Sequence, residues 1–173
     1  GVSGPKVSEA ILCGTNKKEL RGACPTCSQM ARVSTYLELN GFDENLRRSE
    51  DTDFTIRAAE CGATFVGIDV PVVQQFMTND KSKSLTCERE NWIYLTHKHR
   101  KIIERHMAFE FALSWLELRH QRLTQGYQSF LRLLCFLMLR HPSQTFKKLY
   151  FAVPNIPLHT AMARFAKNNK ESE

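Results

Sequence analysis

Apolar residues change their spacing along this chain near residue 85. Before it, short apolar runs alternate with glycines and turn formers; after it, apolar residues step by three and four almost without a break. In the first half, Met30, Val33 and Leu37 recur at helical spacing behind Thr26 or Ser28, so a helix is expected to start there. Asn40-Gly41 tolerates positive φ and is expected to end that helix, with Phe42-Asp43-Glu44 as a turn. A second helix is expected to begin near Ser49, a residue suited to capping, and to stop at Gly62. Apolar and β-branched residues over 64–70 predict a strand. Pro71 ends it or opens a second extended stretch, 72–76, and the polar run 78–84 reads as a loop.

The second half predicts one long amphipathic helix. Its stripe is Trp92, Leu95, His99, Ile102, His106, Phe109, Leu113 and Leu116. Gly126 breaks it, a shorter apolar helix follows over 130–139, and Pro142 and 154–157 punctuate the rest. A last short helix is expected from His159. The chain therefore divides into 1–85, mixed in character, and 86–173, helical. No internal repeat is visible.

Composition narrows the class. Hydrophobic residues are 42% and charged residues 24% of 173, which suits a globular protein and argues against disorder. A net charge of +6 suits an anionic partner. Much of it lies in His97-Lys98-His99-Arg100-Lys101 and in basic residues scattered through the helical half, where a solvated helix face is the simplest reading. Cys24-Pro25-Thr26-Cys27 has half the spacing of a zinc site, but no second Cys-x-x-Cys follows, so two thiols around a Pro turn and a reducing, cytoplasmic setting are expected. The opening residues show neither a signal-peptide pattern nor an initiator Met, and sequence upstream is expected. No stretch reaches the ~20 apolar residues of a membrane span.

The chemistry concentrates in Asn40-Gly41-Phe42-Asp43-Glu44, then Arg48-Ser49-Glu50-Asp51-Thr52-Asp53-Phe54, Arg57 and Gly62. Glu50, Asp51 and Asp53 fall at a helix start, where the helix dipole favours negative charge. An ionised carboxylate can accept a proton from a hydroxyl nucleophile. Asp53 and Arg57, four apart, can pair on one helix face; that pairing and the dipole are together worth about 0.5 kcal/mol.

In order and spacing this segment resembles the second half of family-2 and galactosyltransferase-type glycosyltransferases of the GT-A fold, over about residues 24 to 85. The resemblance implies an α/β remnant of a GT-A fold with few strands, followed by a mainly α-helical C-terminal region. It implies an inverting glycosyltransferase that moves a sugar from a nucleotide-sugar donor to a glycan or lipid-linked acceptor. Asp51 matches the general base and Glu50 the residue that orients the acceptor. Gly41 and Phe42 would border the sugar, and Asp53 and Arg57 would belong to the same substrate-binding surface. The complete enzyme would use Mg²⁺ or Mn²⁺ held by an Asp-x-Asp, but none precedes Glu50 here, so its ligands are expected outside this chain. Relatives often carry a His after the strand, where this chain has Gln75. They also carry a second Gly before Phe42, beyond the one at 41, where this chain has Asn40. By itself the chain is expected to be an incomplete, inactive piece.

Two other functions fit parts of the sequence. Glu50, Asp51 and Asp53 could be Mg²⁺ ligands of a nuclease or phosphatase, and 97–101 could let a non-enzymatic helical module bind an anionic surface. No nucleic acid is expected as partner. The apolar run 133–139, bracketed by Arg132 and Arg140 and followed by Lys147 and Lys148, reads first as a core helix. Its second reading is a peripheral membrane contact through 130–148. His99 and His106 are expected as core or boundary histidines, since seven residues separate them by two helical turns.

Overall fold

The computed structural model describes residues 2–14, 24–71, 73–74, 85–124 and 127–152. Helix accounts for two-thirds of them, and the sheet has only two short strands. In chain order, β1 (Val2–Ser3) leads into α1 (Val7–Cys13); a 3-10 turn (Thr26–Ser28) and α2 (Val33–Glu38) precede α3 (Glu50–Glu60) and β2 (Phe65–Val66). Then come α4 (Leu85–Lys98), α5 (Arg100–Glu104), α6 (Phe109–Thr124), α7 (Tyr127–Arg140) and α8 (Pro142–Ala152). β1 and β2 are antiparallel, with Val2 opposite Val66 and Ser3 opposite Phe65.

The first half departs from its apolar pattern in two places. The helix expected from Thr26 or Ser28 is only a 3-10 turn there, and α2 does not begin until Val33. Met30 is 95% exposed, and Val33 and Leu37 are exposed too, so helical spacing here marks no core face. Of the strand expected over 64–70, only Phe65–Val66 pairs, because its partner β1 is itself two residues long. Val73 and Gln74 lie in no regular element. The rest of 72–76, with Gln75, the loop 78–84, Gly126 and the helix from His159 lie outside the described residues.

α3 matches its expected bounds, and Gly62 follows it at φ 83. Ser49 precedes the helix but does not cap it through its side chain. It sits at φ 65, ψ 21, whereas a capping Ser holds β-region angles that aim its hydroxyl at the first turn.

The long helix expected over 92–116 is three helices. The chain leaves helical geometry at His99, φ −102 and ψ 25, and again between Glu104 and Phe109. Neither Gly nor Pro stands at these breaks. The stripe nevertheless does its work: Leu95, His99, Ile102 and Phe109 are all buried.

The helices pack as a chain of neighbours: α1 on α3 and α5, α4 on α6, α6 on α7, and α7 on α8. α6 serves two apolar clusters. Phe109 and Ala112 meet Ile103 from α5, while Phe111 and Leu118 meet Leu137 from α7. α7 was expected mainly as a core helix, and only one side is. Leu137 is fully buried, whereas Leu131, Phe136 and Leu139 are exposed. No helix among the described residues is long and apolar enough to cross a membrane.

Leu137→Ala should lower the unfolding free energy by about 3 kcal/mol, since it removes a fully buried side chain and leaves a cavity. Met30→Ala should change it by less than about 0.5 kcal/mol, as expected of an exposed position. Urea denaturation of both variants measures the contrast directly.

Candidate functional site

The segment singled out in the sequence folds around one buried carboxylate. Asp53, in the first turn of α3, has no exposed surface. Its Oδ1 lies 2.7 Å from His99 Nε2. Its Oδ2 accepts hydrogen bonds from Arg57 Nε at 2.7 Å and Lys98 Nζ at 3.0 Å. The i, i+4 pair with Arg57 forms as the spacing predicts, and two further basic groups arrive from the α4–α5 junction.

The turn before α3 is tied to the same cluster. Asn40 and Gly41 are both left-handed, at φ 58 and 64. A Cβ built on Gly41 would meet nothing within 4 Å, so it is the backbone angle, not crowding, that favours glycine. Arg57 then donates to the Leu39 carbonyl and, at 2.7 Å, to the Gly41 carbonyl. The fork of one guanidinium thereby fixes both turn and helix. Asp43 completes the arrangement. Its Oδ1 accepts from the Asn45 backbone and side-chain nitrogens at 3.0 Å each, and its Oδ2 accepts from Tyr94 Oη at 3.1 Å and from Lys98 Nζ. Lys98 therefore bridges Asp43 and Asp53. Phe42 packs its ring 5.4 Å from Phe54, which stacks on Tyr36 at 4.6 Å, so Phe42 is part of the wall behind the turn.

The electrostatics follow from these contacts. Burial works against the Asp53 charge, but hydrogen bonds from His99, Lys98 and Arg57 outweigh it and bring its pKa down to about 2. Asp43 is held well below the usual carboxylate range, first by Lys98 and then by the Asn45 N–H. Burial disfavours the Lys98 charge, yet its bonds to Asp43 and Asp53 raise its pKa above the ordinary lysine value. An ionised carboxylate only accepts, so the His99 nitrogen facing Asp53 is the one that carries a proton.

Asp51 and Glu50 stand apart from this cluster. Asp51 is half-buried at the N-terminus of α3. Its Oδ1 accepts from Thr52 N at 2.6 Å and Thr52 Oγ1 at 3.2 Å, and its Oδ2 accepts from Thr26 N at 3.2 Å. All three donors are uncharged. The Cys24–Cys27 segment thus lies against the start of α3, and the Cys24 thiol is pushed up by burial and then by the Asp51 charge. None of the described cysteines is in a disulfide. Glu50 is half-buried and makes no ion pair among the described residues.

The sequence pointed to Glu50, Asp51, Asp53, Arg57, Gly41 and Phe42. The structure brings Asp53, Arg57 and the Gly41 carbonyl together and sets Asp51 beside Cys24. The expected substrate side of Asp53 is occupied by protein: every oxygen of that carboxylate faces a basic side chain. Sequence reasoning missed Asp43, Tyr94, Lys98 and His99 as one network. The available signal was a histidine inside an apolar stripe, with a lysine beside it and acidic residues elsewhere. The basic run 97–101 is also less free than it reads, since Lys98 and His99 turn inward and Arg100 pairs with Glu104. His106 lies 3.5 Å from Glu9. Among the described residues no three His, Cys, Asp or Glu side chains are placed to hold a metal ion, so no chemical step is assigned to a metal held by them.

The depressed Asp53 pKa has a definite pH signature. A carboxylate whose folded pKa lies below its unfolded value contributes stability above the unfolded pKa, and that stability is lost as pH falls through the folded one. For Asp53 the window runs from 3.8 down to about 2. Urea midpoints measured across that range should fall more steeply for the natural chain than for Asp53→Asn. Near neutral pH Asp53→Asn should be less stable by about 3 kcal/mol, the penalty for stripping buried basic groups of their counter-charge. That is several times what the Arg57 pairing and helix dipole alone would give.

Compared with protein-family models, curated proteins and solved structures, the chain has no match.

Proposed function

We propose that residues 39–57 form the acceptor side of an inverting glycosyltransferase and that Asp51 is its general base. One observation carries the reading. Of the aspartates in the motif, Asp43 and Asp53 are neutralised by Lys98, Arg57 and His99, whereas Asp51 is held only by neutral donors. A carboxylate offers about four lone-pair positions. Thr26, the Thr52 amide and the Thr52 hydroxyl use three, which leaves one on Oδ2 for an incoming hydroxyl.

The step follows from that vacancy. An acceptor hydroxyl donates to Asp51 Oδ2 and attacks the anomeric carbon of a nucleotide-sugar. The new C–O bond forms as the bond from that carbon to the nucleoside diphosphate breaks. The diphosphate leaves with the electron pair, and the hydroxyl proton passes to Asp51. Attack opposite the leaving group inverts the configuration. Glu50, on the same first turn, orients the acceptor, a glycan or a lipid-linked sugar. Asp53, Arg57 and Lys98 act as positioning residues, fixing the turn at Gly41 and the start of α3 on which Asp51 rides.

Asp51→Asn in the full-length gene product should lower the transfer rate by at least ~10²-fold, the low end for base catalysis. Nucleotide-sugar binding by calorimetry should be unchanged, as should the unfolding midpoint, since asparagine keeps the carbonyl oxygen that accepts from Thr52. Retention of more than about a tenth of the rate would sink the assignment.

A further inference from the structure

α7 and α8 present one continuous exposed face. His141 N donates to the Leu137 carbonyl at 2.8 Å and Thr145 N to the His141 carbonyl at 2.9 Å, so the helical step is carried across the joint. Pro142 opens α8 at the one position where a missing N–H costs nothing. The Thr145 hydroxyl, buried, donates to the carbonyls of Leu137 and His141 and clamps the two helices in phase.

With that phase kept, Leu131, Cys135, Leu139, Pro142, Phe146 and Tyr150 fall on one line, separated by four, four, three, four and four residues. All six are exposed, Leu139 at 86% and Phe146 at 59%. Phe136 and three cations, Arg132, Arg140 and Lys147, stand on the same exposed side. The opposite side, with Leu137 and Thr145, is buried. The stripe is roughly 28 Å long at 1.5 Å per residue.

The charge on this face has one sign. Residues 127–152 contain no Asp or Glu. Lys148 is not among the surface cations. It points inward, with its Nζ 3.1 Å from where a Cβ on Gly14 would lie. An apolar line with large exposed aromatics beside a cationic rim is the arrangement of a helix that lies in a lipid interface, its apolar side in the acyl boundary and its cations among anionic headgroups. Pairing with a second copy through the same face is disfavoured, because it would set these cations against their own kind with no carboxylate to offset them. The α7–α8 unit is also too short and too charged to span a bilayer.

We propose that the exposed face of α7 and α8 docks on an anionic membrane surface, with Leu139 and Phe146 inserted and Arg132, Arg140 and Lys147 at the headgroups. This docking does not depend on the role of Asp51.

Flotation of the whole chain with lipid vesicles tests it. Vesicles containing phosphatidylglycerol should carry the protein to the top of the gradient, pure phosphatidylcholine should not, and added salt should weaken the binding. At about fivefold per cation, replacing Arg132, Arg140 and Lys147 with Gln should weaken binding about a hundredfold. The double variant Leu139→Glu, Phe146→Glu should lose binding at least as completely while keeping its circular dichroism and urea midpoint, since both side chains are exposed. Equal flotation with both lipids, or undiminished binding by either variant, would overturn the proposal. So would a doubled mass in light scattering that the double variant abolishes, because the face would then belong to a second copy.

Discussion

The fold around the candidate site is organised by a single buried negative charge. Asp53 is out of contact with water, and an ionised carboxylate there is tolerable only if its oxygens are fully engaged. The three groups that engage it come from two places, Arg57 on its own helix and Lys98 and His99 from far along the chain. Arg57 also holds the turn at Leu39 and Gly41, and Lys98 also holds Asp43. One charge thus fixes the turn, the helix start and the α4–α5 junction in relation to one another. It also accounts for a break that local sequence does not explain. No helix breaker stands near His99, but a straight helix would have to place Lys98 and His99, adjacent in sequence and about 100° apart around the axis, on the same carboxylate. Leaving helical angles at His99 lets both reach it.

What was legible in the sequence is what local physics decides. Asn40 and Gly41 have positive φ because they tolerate it best, and α3 runs from just after Ser49 to just before Gly62. The Asp53–Arg57 pair needs only a spacing of four. What was illegible depends on partners remote in sequence. The pairs that join Asp53 to His99 and Asp43 to Lys98 span 46 and 55 residues, and a stripe of period 3.6 looks the same whether the helix beneath it is whole or in three pieces. Met30, Val33 and Leu37 show the converse error. Their spacing is helical, but periodicity reports an apolar face only where another element covers it, and none does so here.

The two carboxylates of the motif that read alike in sequence, Asp51 and Asp53, have opposite surroundings. Asp53 is saturated by basic groups and is poorly placed to accept another proton, since its pKa is drawn down to about 2. Asp51 is oriented by backbone and hydroxyl donors that set its direction without supplying a full opposing charge. Such a division is what a positioned base requires: a rigid support that carries the charge pairing, and a reacting group next to it whose remaining lone pair is left open. The aromatic wall of Tyr36, Phe42 and Phe54 stiffens the same support from the other side.

The location of the chain's positive charge changes meaning once the fold is known. Reading along the sequence, the densest basic run is 97–101, and it looks like the surface an anionic partner would meet. In the folded chain Lys98 and His99 are turned to Asp43 and Asp53, and Arg100 to Glu104, so that run is largely compensated from within. The segment 127–152 carries Arg132, Arg140, Lys147 and Lys148 and no acidic residue, four positive charges of the chain's net +6. Only Lys148 of these is drawn inward, where burial lowers its pKa to about 8. The uncompensated field therefore lies over α7 and α8, on the side where their apolar residues are also exposed. Charge of one sign over apolar surface is costly to leave in water and repels a second copy of itself, and a surface that is both anionic and apolar relieves both conditions at once.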